Sequence, residues 1–151
     1  MFLAINNNKI NTNNLIISEK KKNNVITDSF FYRIYYSDNS FISNGLVISY
    51  VFNMTNIEKF FKKIKFNFKE KNNIQNIENI IHIENRLLNY FNNNKKKKFS
   101  LRDQLKQNFL KIQNNNFTHL NLNQLKLVLK ISGFWETKYE FGLTYRFFIC
   151  D

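Results

Sequence analysis

Leu125-Lys-Leu-Val-Leu-Lys-Ile-Ser-Gly-Phe-Trp-Glu-Thr-Lys-Tyr-Glu-Phe-Gly-Leu-Thr-Tyr-Arg-Phe-Phe148 is the stretch that decides the fold. Leu125, Leu127, Leu129 and Ile131 alternate with Lys126, Val128, Lys130 and Ser132. After a short connection, Leu143, Tyr145 and Phe147 alternate with Thr144, Arg146 and Phe148. Period-two alternation sends successive side chains to opposite faces of a strand. The pattern predicts an antiparallel hairpin with strands over 124–133 and 142–149, and with Trp135 and Tyr139 near the connection. If the apolar faces are shared, Lys126, Lys130, Thr144 and Arg146 point outward together. Gly133 and Gly142 are rare in a chain with three glycines, so a special backbone conformation or a close approach is expected there.

Upstream, Ile74, Ile77, Ile80, Ile81, Leu87, Leu88 and Phe91 recur at helical spacing, and a helix over 74–91 with that stripe against the sheet follows. Asn76, Asn79, His82, Asn85, Arg86 and Asn89 take its other side. Lys95, Lys96, Lys97 and Lys98 then form an exposed basic loop. Ser100-Leu-Arg-Asp103 resembles a capping box, which starts a short helix through Leu105. Phe109–Ile112 is a candidate strand, and the Asn114–Asn116 run is a loop.

Earlier in the chain, Phe30, Tyr32, Ile34 and Tyr36 share one strand face, with Phe31, Arg33 and Tyr35 opposite. Asn44-Gly45 carries hairpin chemistry, so 29–52 is expected as a meander of two or three strands. Over 57–71 two periods compete. Ile57, Phe60, Phe61 and Ile64 fit a helix, whereas Ile64, Phe66 and Phe68, opposite Lys63, Lys65 and Lys69, fit a strand. The reading adopted is a short helix followed by a strand. Residues 1–24 are expected as a polar arm with a short strand at Leu15–Ile17, and 25–151 as one β-rich domain. The fold class expected is therefore α+β: an antiparallel OB-like barrel or curled sheet, one main helix and a C-terminal β-hairpin.

The formal net charge of +12 favours an anionic partner, nucleic acid before a membrane surface. Composition weakens that inference. The chain has 28 Asn and 19 Lys but 4 Arg, no Pro and one Ala. An A/T-rich genome would produce this usage without selection for charge. Position therefore carries more information than the sum. The single cysteine, Cys150, permits no intrachain disulfide and points to a reducing, intracellular setting. Met1–Ile5 is too short for a signal-peptide core, and no run approaches the roughly 18 apolar residues of a membrane span.

Lys126, Lys130 and Arg146 beside aromatic neighbours suit a nucleic-acid backbone and stacked bases. Equally, such a face can be ordinary solvated sheet. Arg33 and Tyr35 mark a second face of the same character. Lys63, Lys65 and Lys95–Lys98 are candidate phosphate contacts, and Tyr139 is a candidate stacking residue. Trp135 either stacks a base or, the preferred reading, anchors the hairpin in the core. His82 and His119 are the only histidines. No Gly-rich phosphate loop, Cys/His ligand set or nucleophile motif appears, so no enzyme, metal or cofactor is expected.

Leu129-Lys-Ile-Ser-Gly-Phe-Trp-Glu136 followed by Gly142-Leu-Thr-Tyr-Arg-Phe147 resembles the closing hairpin of single-stranded DNA-binding-like proteins of large DNA viruses. There the blocks run approximately Lys-Ile-Ser-Gly-Ile-Trp-Glu and Gly-Leu-Thr-Tyr-Lys-Phe. Here Phe134 and Arg146 are the departures. The resemblance extends from Leu101 onward, and the first 70 residues give no independent match. It implies an OB-type fold and sequence-independent binding of single-stranded DNA in replication, recombination or repair. It also implies a viral source, the host cytoplasm or nucleus, and self-association or replication-complex partners. The acidic tail of many such proteins is not seen. The alternative is an RNA-binding structural protein of an organellar ribosome, in the organelle matrix, encoded by an A/T-rich genome. A third class is a protein-interaction module.

Overall fold

The computed structural model describes residues 4–5, 9–91, 93–113 and 119–150. The Asn114–Asn116 loop lies outside them. In chain order the strands are β1 (Leu15–Ile17), β2 (Lys21–Lys22), β3 (Phe30–Ser37), β4 (Ile42–Asn44), β5 (Leu46–Phe52), β6 (Met54–Phe60), β7 (Lys63–Phe68), β8 (Lys96–Lys98), β9 (Phe109–Gln113), β10 (Leu125–Glu136) and β11 (Glu140–Ile149). The α-helices are α1 (Ile74–Phe91) and α2 (Ser100–Lys106). The main sheet path runs β1-β3-β10-β11-β9-β7-β6, with β2 and β4 also on β3, β5 on β10 and β8 on β11. The fold is α+β and strand-rich, built on a large mixed sheet that does not close on itself.

The C-terminal hairpin forms as its alternation predicts. Leu125, Leu127, Leu129, Ile131, Leu143 and Phe147 are buried. A bulge between Ile131 and Gly133 interrupts the β10–β11 register. At the same place β10 changes its partner on the other side. Leu125–Ile131 pair with β5, and Gly133–Glu136 pair with β3. A bulge bends its strand and sharpens the local twist, which lets one strand serve both groups. The close approach needs Gly133: a Cβ there would sit 2.1 Å from the Tyr32 carbonyl oxygen and 2.7 Å from the Phe31 ring.

One face of the sheet packs on the helices. α1 buries Ile77, Ile80, Ile83, Leu87 and Leu88. Phe91, in its last turn, stacks on Phe134 with ring centroids 4.3 Å apart. The Tyr50 hydroxyl donates to Asn79 Oδ1 at 2.7 Å, and burial raises its pKa above the ordinary phenol value. Ile34, Phe52, Phe66 and Leu110 complete this layer. Within the stretch expected as a polar arm, β1 and β2 pair with β3, and Ile10 and Leu15 join the core.

Five local readings need correction. The helix over 57–64 is instead the β6–β7 hairpin. Of its four apolar positions only Ile64 is buried; Phe60 and Phe61 are exposed at the tip. Cross-strand pairing there outweighed the helical spacing. The meander breaks at Asn44-Gly45: β4 pairs with β3, but β5 leaves to pair with β10. The sheet is mixed, because β8 and β9 join β11 in parallel, a pairing that requires the long intervening crossovers. Ser100 is not the α2 cap. That helix is capped from α1 by the Glu84 carboxylate, which accepts from the Leu101 and Arg102 N–H groups at 3.0 and 2.9 Å. The α1 stripe also shifts: Ile74 is exposed, while Ile83 and Glu84 are buried.

Two outcomes follow from this architecture. Gly133→Ala forces a side chain into a backbone carbonyl that cannot swing aside. It should cost about 1–3 kcal/mol or more in urea unfolding, with the β10–β11 amide resonances the most disturbed. The second concerns Glu84. Burial holds its carboxyl above the ordinary carboxylate range. The two backbone N–H groups and the Arg102 charge draw it part of the way back, and Asp103 opposes them. With the folded pKa above the unfolded one, the folded state holds the proton more tightly. That contribution to stability is complete below the unfolded pKa and is lost as pH rises through the folded one. The stability of wild type relative to Glu84→Gln should therefore fall as pH rises through this range. A pH-independent difference in urea midpoints would contradict it.

Candidate functional site

The sheet face turned away from α1 carries the cations. Directly paired residues project to the same side, so register places them. Lys130 pairs with Arg146. The parallel step at Phe147 and Ile112 sets Arg146 beside Lys111, and Lys111 pairs with Lys65. Lys65 in turn pairs with Glu58, whose carboxylate lies 3.6 Å from its Nζ. One row thus crosses β10, β11, β9 and β7 with a cation on each strand before it meets an acid. Phe109 lies beside the row: Lys65 Nζ is 4.6 Å and Lys111 Nζ 5.6 Å from its ring centroid. Lys63 and Lys126 flank the row on the same face.

Beyond the bulge the face continues with aromatic character. Gly133 pairs with Arg33, and Trp135 with Phe31. The Arg33 guanidinium lies 5.8 Å from the Phe31 ring and donates to Asn44 Oδ1 at 3.1 Å. Trp135 is half-buried on this outer face, not in the core. Its indole covers Gly142, where a Cβ would stand 2.8 Å from Trp135 Cζ2. Lys98 is the partner of Gly142, and Lys21 the partner of Phe31. A second row therefore reads Lys98, Trp135, Phe31, Lys21. Tyr35 lies toward the β1 edge of the same face, between Ile16 and Asn44.

The lysine run is not a loop. Lys96–Lys98 form β8, and alternation splits their roles. Lys96 and Lys98 share the outer side, paired with Glu140 and Gly142. Lys97 shares the side of buried Phe141 and donates to Asn89 Oδ1 of α1. Lys95 pairs with the nearly buried Glu136 carboxylate at 3.0 Å and donates to the Thr137 carbonyl at 2.9 Å. Asn93 donates to the same carboxylate, and the Tyr32 hydroxyl donates to it at 3.5 Å. Burial first, and then the Glu136 charge and this bond, raise the Tyr32 pKa. Lys95 and Lys97 are thus structural. Tyr139 is exposed at the hairpin turn beside Lys138, at the opposite end of β10 from Lys126.

Of the residues singled out from sequence, the outer face gathers Lys126, Lys130, Arg146, Lys63, Lys65, Arg33, Tyr35, Lys96, Lys98 and Trp135. It adds Lys111, Phe109 and Lys21, which sequence reasoning missed. The signal for the first two was present: Phe109 and Lys111 alternate with buried Leu110 and Ile112. Among the described residues, no helix is long and apolar enough to cross a membrane. Comparison with family models, with characterised proteins and with solved structures gives no match, so the site is interpreted on its own geometry.

The two kinds of lysine in the 95–98 run should separate by mutation. Lys95→Ala removes the counter-charge of a nearly buried carboxylate, leaving it only the Asn93 and Tyr32 hydrogen bonds, and is expected to lower stability by about 1–3 kcal/mol. Lys96→Ala removes an exposed charge and should stay within about 0.5 kcal/mol of wild type. Chemical denaturation of both variants checks this; equal effects would contradict the assignment.

Proposed function

We propose that this protein binds single-stranded nucleic acid, DNA in the first instance, along the outer face of its curled, OB-like sheet. In this reading it binds without strong sequence preference and without catalysis, and it serves replication, recombination or repair. The observation that carries the proposal is the cation row Lys130, Arg146, Lys111, Lys65. Like charges standing opposite one another across a sheet are destabilising; the Glu58 carboxylate beside Lys65 and the Phe109 ring beside Lys65 and Lys111 offset part of that cost. A polyanion lying across it turns the repulsion into binding.

Codon bias does not account for the placement. Bias enriches Asn and Lys together, yet this row contains cations and no Asn. By contrast, α1 runs eighteen residues without one Lys in a chain that has 19. Phe109, Trp135 and Phe31 lie beside or between the cations. Alternating charge with aromatic faces is what a flexible single strand uses, because phosphates need cations and every base has a face to stack. Across its four strands the row spans ~14 Å, three steps of about 4.8 Å, enough for two or three nucleotides. The ladder geometry suits an extended chain and gives no base-edge code, which supports sequence-independent binding.

Log affinity for oligothymidylate should fall linearly with log salt, by about 0.7 per phosphate neutralised. Changing Lys65, Lys111 and Arg146 together to Gln should flatten that slope by about 2 and leave folding intact. Leu87→Ala, on the opposite layer, should cost about 2–5 kcal/mol of stability and leave the slope alone. Trp135 emission should be quenched by the oligonucleotide, and Trp135→Ala should cost about 1–3 kcal/mol of binding. Salt-independent binding, or an unchanged slope in the triple variant, would remove the proposal. The same titration with RNA and duplex DNA identifies the preferred strand.

A further inference from the structure

The row of cations is interrupted by an opening. β11 and β9 meet at a single register pair, Phe147 with Ile112, and beside it lies a cavity of about 320 Å³. Its lining mixes both faces of the sheet. Lys63, Lys111 and Arg146 come from the outer face, with Phe148; Gln104 and Tyr145 come from the helix side. The cavity therefore passes into the sheet layer rather than running along it. Among the described residues no acid lines this cavity.

The far wall is polar and oriented. The Tyr145 hydroxyl donates to Gln104 Oε1 at 2.6 Å. Burial, with the charges of Glu84 and Asp103, pushes that phenol up to about 12, so it remains a neutral donor at pH 7. This bond fixes the Gln104 amide with its oxygen engaged and its Nε2 donors available. Cations at the mouth, aromatic walls and an amide at the back form a graded site. It asks for a ligand that is anionic at one end and flat, with hydrogen-bond acceptors, at the other.

We propose that this cavity is a seat for one nucleotide, with its phosphate at Lys63, Lys111 and Arg146 and its base within, beside Tyr145 and Phe148 and in reach of Gln104. The volume falls at the lower end of small-ligand pockets, about 300–1,000 Å³, which suits one nucleotide and not two. The inference rests on the nucleic-acid reading in one respect: in a bound strand, the seat takes a single residue turned out of the track. The shallow face binds any strand passing over it; the seat adds a fixed point.

The test is titration of the isotope-labelled full chain, followed by amide chemical shifts, with thymidine 5′-monophosphate, deoxyribose 5-phosphate, inorganic phosphate and a short oligothymidylate. The nucleotide should shift the amides of β9, of the end of β11 and of Gln104. It should bind about tenfold tighter than either phosphate probe, a ratio one stacked or hydrogen-bonded base supplies. Gln104→Leu should lower affinity for the nucleotide and not for inorganic phosphate; Lys111→Gln should lower both. Equal binding of nucleotide and phosphate would overturn the seat in favour of a plain anion site. Nucleotide shifts mapping elsewhere would overturn it in the wild-type chain, whatever the variants do. Oligothymidylate that binds while the mononucleotide leaves the seam untouched removes the seat and keeps the track. A mononucleotide held at the seam with no oligothymidylate binding removes the track and keeps the seat.

Discussion

The structure depends on one strand having two sets of partners. β10 keeps β11 on one side throughout, but on the other it is held first by β5 and then by β3. That exchange needs a bend at a fixed point, and the bulge before Gly133 provides it. With a side chain at 133 the Tyr32 carbonyl could not approach, and β3 could not join the edge that β5 leaves. Everything outside the hairpin is arranged by this exchange. β3 brings β1, β2 and β4, and β11 on the other side brings β8, β9 and through them β7 and β6.

The same strand separates the two chemistries of the molecule. Its inward residues meet α1, whose exposed side is rich in Asn and lacks Lys. Its outward residues continue rows of Lys and Arg across neighbouring strands. A chain whose codon usage enriches both residue types has no compositional reason to sort them by face. Asn and Lys are both well solvated, so packing does not sort them either. Asn44, Asn56 and Asn67 share the outer face, so the argument for the proposed ligand lies in the cation row itself and not in the total charge of +12.

Much of the fold was legible in the sequence because it was periodic. The hairpin, α1, β3 and the second half of the β6–β7 pair all follow from apolar spacing, which burial enforces directly. What escaped was set by partners distant in sequence. Nothing near Ile57 says that Phe60 and Phe61 will lie at an exposed tip, and nothing near Asn44 says that β5 will leave β4 for β10. The capping of α2 by Glu84 joins residues 17 and 18 positions apart, beyond any local motif. The site was partly legible for the same reason. Lys126, Lys130 and Arg146 were found on an alternating hairpin. Lys111 belonged to a short strand whose alternation was present but whose neighbours were unknown. Lys95 and Lys97 look like their neighbours in sequence, and only the buried carboxylate of Glu136 and the amide of Asn89 distinguish them.

A row of like charges has a consequence for the free protein. Across one row each cation raises the free energy of its neighbours, by an amount that water and salt reduce and do not abolish. The hydrophobic layer beneath offsets it: Ile64, Phe66, Leu110, Ile112 and Phe147 are all buried under the strands that carry the row. The tolerance is local, because the row is terminated at Lys65 by Glu58 and not extended across β6. On the proposed function, a bound strand relieves the repulsion that this layer otherwise has to hold. Binding and folding are then linked, since any ligand that binds only the folded chain stabilises it by mass action. The repulsion is weakest at high salt, where such binding is weakest too. The strain in the free sheet and the affinity of the loaded one are therefore two measures of the same row of charges.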